Sequence, residues 1–457
     1  MFYNFHFHHK LNITSIALII IFLFSLLLRT PNRLFARKIE PVSKTFNDVH
    51  NVTKFLYPQL VKRFYEAGNN QLFWFSINEN SKSLRQLLKS KLDNSASLGL
   101  KKEKYHLNEI NKYVNKYFTA ADSTLALSTD RIFTDAAIAF CKDVYQGNDI
   151  DQWMLYDEIS SKREGQDDQF LLSELLNSKT SDHLLAFINS LEPTDAEYLA
   201  IKKELHNKAD SLSAFQKKQL TTSLQFYRWM HHFRFEKWIV VNIASATLRY
   251  YEYDSIKLRM KAVLGKSSTR TPRFAAHCNE IILYPYWNVP SSIARNELLP
   301  QFRRHPGDVD ALNMQVLDLK GNIIDHHKLN WKNYSRNYFP FQVRQSTGCD
   351  NSLGVVKFNL TSPFSVYLHD TNNKNAFLSG LRYYSHGCIR IQEPIALANY
   401  LLPGKIDSTF LESCLKDQQP VTLNLPKQVP VFVIYQTVET SIAGKLQYFK
   451  DVYGFLK

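Results

Sequence analysis

From about Val52 to Phe235, apolar residues recur at spacings of three and four. "VTKFLYPQLVKRFYEAGN", "SKSLRQLLKSKLD" and "DQFLLSELLNSK" each gather them on one helical face. In "PTDAEYLAIKKEL", Pro193, Thr194 and Glu197 predict a helix start of capping-box type. After "FRFEKW" the period changes to two. "WIVVNIASATLRYYEY", "RMKAVLG", "EIILYPYW", "GVVKFNL", "SVYLHD" and "VPVFVIYQTV" are rich in Val, Ile, Tyr and Phe, and clusters of Gly, Asn or Ser separate most of them. Short helices are expected at "SSIARNELLPQF" and "PIALANYLL". The pattern predicts an α+β chain, helical over 39–235 and mainly β over 236–457. It carries no solenoid-period repeat and no low-complexity tract.

Ahead of both regions, Ile13 to Leu28 reads "ITSIALIIIFLFSLLL" and is closed by Arg29, Thr30 and Pro31. Such a run suits a tilted membrane anchor or a signal-peptide core. "RLFARK" offers Ala36 but no small residue two positions earlier, which favours an uncleaved anchor over 1–38. Arg29, Arg33, Arg37 and Lys38 follow the run and only Lys10 precedes it, a bias that by itself would keep the body cytoplasmic.

At 457 residues the chain exceeds one ordinary core, and its 44% hydrophobic content excludes wholesale disorder. Lysine plus arginine outnumber aspartate plus glutamate by 56 to 42, a net +14 that suits an anionic membrane face, an acidic wall polymer or nucleic acid. No basic helix interleaved with stacking aromatics and no zinc-finger spacing accompanies the charge, so nucleic acid is disfavoured.

The cysteines, Cys141, Cys278, Cys349, Cys388 and Cys414, form no CxxC pair, and their odd number leaves at least one thiol free. Cys141 falls in an apolar helical stretch and reads as core. A disulfide among Cys278, Cys349 and Cys414 stays open. Cys388 differs, because it sits in "RYYSHGCIRI". A cysteine attacks only as thiolate, and a nearby imidazole is the usual means of making one near neutral pH. His386 would have to fold back within its own turn, whereas His369, at the end of the "VYLHDT" strand, can face a separate loop. Gly387 permits an unusual backbone before the nucleophile, and the N–H groups around Gly387 and Cys388 suit an oxyanion. Taken alone, "HGC" more often marks a buried cysteine beside a core imidazole.

Fifteen residues separate His369 from Ser385, and the string "SHGCIR" that follows resembles the signature of the L,D-transpeptidases, the YkuD-type cysteine enzymes of bacterial wall cross-linking. The resemblance covers most of Trp229 to Gly454, through "KWIVVNIASATLRYYE", "VLGKSSTRTPRF", "YPYWNVPSSIARNELLPQFRRHPG" and "NSLGVVKFNL". "YEAGNNQLFWF" and "DRIFTDAAIAFCKDVYQG" are similar to the helical scaffold of the long, membrane-anchored periplasmic subclass. The resemblance implies a helical scaffold domain followed by a mainly β catalytic domain, with 291–345 as a capping subdomain. It implies Cys388 as nucleophile, His369 as base oriented by the Asp370 carbonyl, and His386 and Gly387 in the oxyanion loop. Arg390 would hold stem carboxylates or buttress the loop, with Tyr367, Ser385 and Arg382 as pocket or supporting residues and Trp287 as a stem contact or packing beneath the lid. The implied substrates are peptidoglycan tetrapeptide stems, as donor and acceptor, joined 3→3 through a thioester with release of D-alanine and without metal or cofactor.

The family's usual glycan-binding helical insert has no room between Leu191 and Met230, so wall targeting would fall to the basic surface, the scaffold or a partner. A stem-peptide enzyme must face the wall, so the body is expected in the periplasm, held to the inner membrane by 1–38. An L,D-carboxypeptidase or exchange reaction through the same thioester, and an idle wall-binding scaffold, are the alternatives. His326 and His327 are adjacent and would point apart on a strand, which argues against a metal site there.

Overall fold

A computed structural model of the protein describes residues 54–456. The apolar run at 13–28 and its expected anchor lie outside them. Among the described residues no helix is long and apolar enough to cross a membrane.

Among the described residues, eight α-helices precede the main strands: α1 (Pro58–Ala67), α2 (Asn80–Asp93), α3 (Leu107–Tyr113), α4 (Ser123–Gln146), α5 (Glu164–Asn177), α6 (Ser181–Ser190), α7 (Ala196–Asn207) and α8 (Ala214–His231). Helix α1 begins at Pro58, where a missing N–H costs nothing. Helix α4 is buried on nearly all sides from Thr129 to Tyr145, because α1, α3, α5 and α8 pack around it. Its carboxylates anchor the loops above it. Asp130 accepts from the backbone N–H of Phe73, Trp74 and Phe75 at 3.0, 2.9 and 2.8 Å, and Asp135 accepts from Leu56 and Tyr57, both at 2.8 Å.

The start of α7 differs from its sequence reading. Asp195 caps it, accepting from the Tyr198 N–H at 3.0 Å, and Thr194 and Glu197 form no capping box. Glu197 is drawn away because the buried Arg249 guanidinium lies 2.7 Å from it, a stronger partner than a terminal N–H.

The main strands are β2 (Lys237–Asn242), β3 (Thr247–Glu252), β4 (Ser255–Gly265), β5 (Phe274–Leu283), β10 (Val356–Leu360), β11 (Leu368–His369), β12 (Tyr383–Ser385), β13 (Ile389–Ile391) and β14 (Val421–Ile434). Their order, β5–β10–β11–β13–β4–β3–β2–β14, closes on itself because β14 also pairs with β5, while β12 pairs with β4. The helical region supplies one strand of its own. β1 (Tyr156–Asp157) extends the β5 edge through Tyr156↔Phe274 and Asp157↔Ala275.

"WIVVN" and "VPVFVI" lack the polar half of an alternating strand because both faces of β2 and β14 are covered. Ile239, Val241, Val431 and Val433 face the core inside the closed sheet. Trp238, Val240, Phe432 and Ile434 face outward, against Phe226, Trp229 and Met230 of α8.

Between β5 and β10, residues 287–345 build a separate core from Leu298, Phe302, Val316, Trp331, Phe339 and others. A small sheet covers it: β6 (Trp287–Asn288), β7 (Met314–Leu317), β8 (Ile323–Ile324) and β9 (Gln342–Gln345), in the order β6–β9–β7–β8. The helical stretch 291–304 passes through a π-helical turn at Ala294–Leu298.

Cys349 and Cys414 form a disulfide across a separation of 65 residues. Loop-closure entropy for a ring of that size amounts to about 4 kcal/mol, and the ring encloses both His369 and Cys388. The Cys349→Ser, Cys414→Ser double variant is expected to lose stability of that order in equilibrium denaturation. An unchanged midpoint would contradict it.

Candidate functional site

The register of three short strands assembles the site. In β10–β11 pairing Lys357 stands opposite His369, and in the parallel β11–β13 pairing His369 stands opposite Arg390 and Leu368 opposite Ile389. Cys388 directly precedes Ile389, whose N–H donates to the Tyr367 carbonyl at 3.1 Å. Side chains two residues apart share a sheet face, so Lys357, Tyr367, His369, Cys388 and Arg390 lie on one face. The contacts agree: the Tyr367 and His369 rings are 5.5 Å apart, and Lys357 Nζ lies 4.4 Å from the Tyr367 ring centroid.

His369 is buried, and its Nδ1 lies 2.5 Å from the Asp370 carbonyl oxygen. A carbonyl only accepts, so Nδ1 carries the proton and Nε2 presents its lone pair. Burial, then the positive charge of Arg390, push the His369 pKa down to about 3, so the ring is neutral at physiological pH. The Cys388 thiol is partly exposed and is also held protonated, because burial raises its pKa. The backbone N–H and hydroxyl of Tyr367 act against that rise, as do the charges of Lys357 and Arg390, since all four favour the thiolate. The resting pair is therefore thiol and imidazole, with the groups that stabilise a sulfur anion already in place.

The backbone around Cys388 is fixed from below. Gly387 has φ +123°, a conformation that a side chain would strain. Ser385 is buried; its hydroxyl accepts from the Gly387 N–H at 3.1 Å and donates to the Cys388 carbonyl at 2.6 Å. The Gly387 amide is thus already engaged. Thr271 Oγ1 donates to the Gly387 carbonyl at 2.9 Å, and Thr269 Oγ1 donates to the Ser385 carbonyl at 3.1 Å. Tyr453 OH in turn holds the Gly265 carbonyl at 2.5 Å, at the base of the loop that carries both threonines.

The other expected site residues make contacts of several kinds. Ser385 and Arg382, expected as pocket or supporting residues, both bond to backbone. The Arg382 guanidinium donates to the carbonyls of Ser245, Ala246, Ala262 and Ser379. His386 is exposed, and its Nε2 lies 3.0 Å from Glu297 Oε1 on the π-helical turn. Trp287 is half-buried and packs on the core of 287–345. Asp370 supplies its carbonyl to His369, while its carboxylate accepts from the Val355 N–H at 3.0 Å and pairs with Lys374. Gly354 makes room for that carboxylate, since a Cβ there would collide with it.

Lys357, Thr269, Thr271, Gly354 and Tyr453 escaped the sequence reading. Only Lys357 carried a signal, as a lone cation amid the apolar "GVVKFNL". Cys278 and Cys141 are buried without such neighbours, and burial pushes both thiols up to about 12.

Residues 236–421 match the model of the L,D-transpeptidase catalytic domain, YkuD, and residues 59–205 match that of a Scaffold domain. A mainly β region that matches the L,D-transpeptidase catalytic-domain model thus follows a helical region that matches the Scaffold model, in an α+β arrangement. A Haemophilus influenzae protein described as "Putative L,D-transpeptidase" is 32% identical over 222 residues, covering 48% of this chain and 45% of that protein. The match therefore spans about half the length of that curated relative. Among solved structures, an L,D-transpeptidase from Mycobacterium smegmatis is 14% identical with a TM-score of 0.22, over 43% of this chain and 58% of its own. An L,D-transpeptidase in complex with imipenem is 15% identical with a TM-score of 0.20, over 44% of this chain and 59% of its own. Structural likenesses of this size carry no argument about the chain.

The neutral pair has a pH signature. Iodoacetamide labelling of Cys388, followed by mass spectrometry, should accelerate steadily as pH rises from 6 to beyond the ordinary thiol range, with no step near the ordinary histidine value. Lys357→Met removes a charge that favours the thiolate and should move the curve further alkaline. A rate already at plateau at pH 6 would indicate a thiolate–imidazolium pair instead.

Proposed function

We propose that the protein is a peptidoglycan L,D-transpeptidase that joins stem peptides 3→3 through an acyl-thioester on Cys388. The Cys388 sulfur attacks the carbonyl of the third stem residue, and His369 Nε2 takes the thiol proton. His369 then passes that proton to the nitrogen of the departing D-alanine as the C–N bond breaks. The side-chain amine of a second stem attacks the thioester, its proton goes to His369, and the sulfur leaves as thiolate and is reprotonated.

The observation that most supports this reading is the shared sheet face of Cys388 and His369, with the imidazole locked by the Asp370 carbonyl in the tautomer a base requires. The Cys388 amide is the N–H proposed for the oxyanion, since Ser385 engages that of Gly387. Arg390 Nε is buried without a hydrogen-bond partner among the described residues, which suits a guanidinium that completes its bonding on a stem carboxylate. The wall lies outside the cytoplasm, and the Cys349–Cys414 disulfide favours an oxidising compartment. The apolar run at Ile13 to Leu28 is the proposed tie to the inner membrane.

Purified protein incubated with disaccharide tetrapeptide is expected to release D-alanine and to form tetrapeptide–tripeptide dimers linked 3→3. Cys388→Ala and His369→Gln are expected to abolish both products, with the fold checked by circular dichroism. D-alanine without dimers would replace the transpeptidase by a carboxypeptidase, and neither product would leave the wall-binding scaffold.

A further inference from the structure

The adjacent histidines that a strand would have separated are brought together. His326 and His327 lie on a 3₁₀ turn, His326–Lys328, where the Asp325 carboxylate accepts from the His327 N–H. On this turn the two rings lie 4.2 Å apart at 36° and face Asp310 of the short helix Asp308–Ala311. His326 Nε2 is 3.2 Å from Asp310 Oδ1, and His327 Nε2 is 3.8 Å from Asp310 Oδ2. One ligand atom from each of the three side chains falls within 4.8 Å of the others.

The first of these approaches is not a hydrogen bond. His326 Nε2 is buried and has no hydrogen-bond partner, although a carboxylate oxygen lies 3.2 Å away. The two atoms stand side by side, as two ligands of one ion do. Ligands around a tetrahedral zinc ion at about 2.0–2.1 Å lie about 3.3 Å from one another; His326 Nε2 already stands 3.2 Å from Asp310 Oδ1, and His327 at 3.8 Å would draw in on binding. The cluster opens into a cavity of about 350 Å³, which leaves room for water as a fourth ligand. Arg303 and Lys332 also line that cavity and oppose a cation, so the carboxylate of Asp310 is the ligand the site could least do without.

We infer that Asp310, His326 and His327 form a binding site for a zinc-class divalent transition ion. Two imidazoles and one carboxylate suit such an ion and not calcium or magnesium, which prefer oxygen ligands throughout. The bound ion would clip the 308–311 helix to the 326–328 turn and stiffen 287–345. This site is independent of the nucleophile and of the reaction proposed for it.

The test uses the full chain with His6→Ala, His8→Ala, His9→Ala and Cys388→Ala, so that other imidazoles and the reactive thiol do not compete. Cobalt(II) is titrated as a spectroscopic stand-in and zinc by calorimetry. One equivalent should bind with the visible absorption of a four- or five-coordinate cobalt ion, and adding His327→Ala should weaken it at least about tenfold. His327 is 70% exposed in its side chain, so this change leaves the fold intact. Asp310→Asn should weaken binding at least as much. No stoichiometric binding, or binding unchanged by His327→Ala and Asp310→Asn, overturns the site.

Discussion

The parallel pairing of β11 with β13 is the constraint on which the chemistry rests. Two residues of β11 and three of β13 set Leu368 against Ile389 and His369 against Arg390, and so bring a histidine and a cysteine nineteen positions apart onto one face. A slip of one residue would turn either side chain to the opposite face. Strands this short do not hold their own register. β10 and β4 flank the pair, the β14–β5 contact closes the sheet around it, and the disulfide fixes the chain on both sides.

Electrostatics and backbone support act together on the same few atoms. Burial keeps Cys388 and His369 neutral at rest, while Lys357, Arg390 and Tyr367 favour the sulfur anion once it forms. Both groups thus rest without charge, beside the cations and hydroxyl that would favour a thiolate. Ser385, Thr269 and Thr271 hold the positive-φ backbone at Gly387 through hydrogen bonds to carbonyls, so their contribution is geometric. The scaffold is joined to this unit by buried polar groups. Arg249 of β3 meets Glu197 of α7 and Glu439 beyond β14, and breaking one partner of such a cluster leaves an uncompensated buried charge.

Much of this was legible in the sequence. The change of hydrophobic period near Phe235 marks the passage from helices to strands, and "SHGCIR" with a strand-end histidine singles out Cys388 and His369. What escaped depends on pairing between distant segments. Lys357 reads as an ordinary strand lysine until β10–β11 register sets it opposite His369. Tyr453 meets the nucleophile support across 182 residues, through Thr271. Glu197 looks like a capping-box residue until Arg249 claims it. His326 and His327 look divergent because a period of two was assumed where the chain makes a 3₁₀ turn. Each case is a local pattern overridden by a tertiary partner that no local pattern contains.

The most direct test is intact-mass spectrometry of the folded protein, acid-quenched during incubation with disaccharide tetrapeptide, followed by peptide mapping. A single covalent adduct is expected, mapped to Cys388 and lost in Cys388→Ala, with Cys141 and Cys278 unmodified. An adduct that persists in Cys388→Ala, or none on folded wild-type protein, would contradict that expectation.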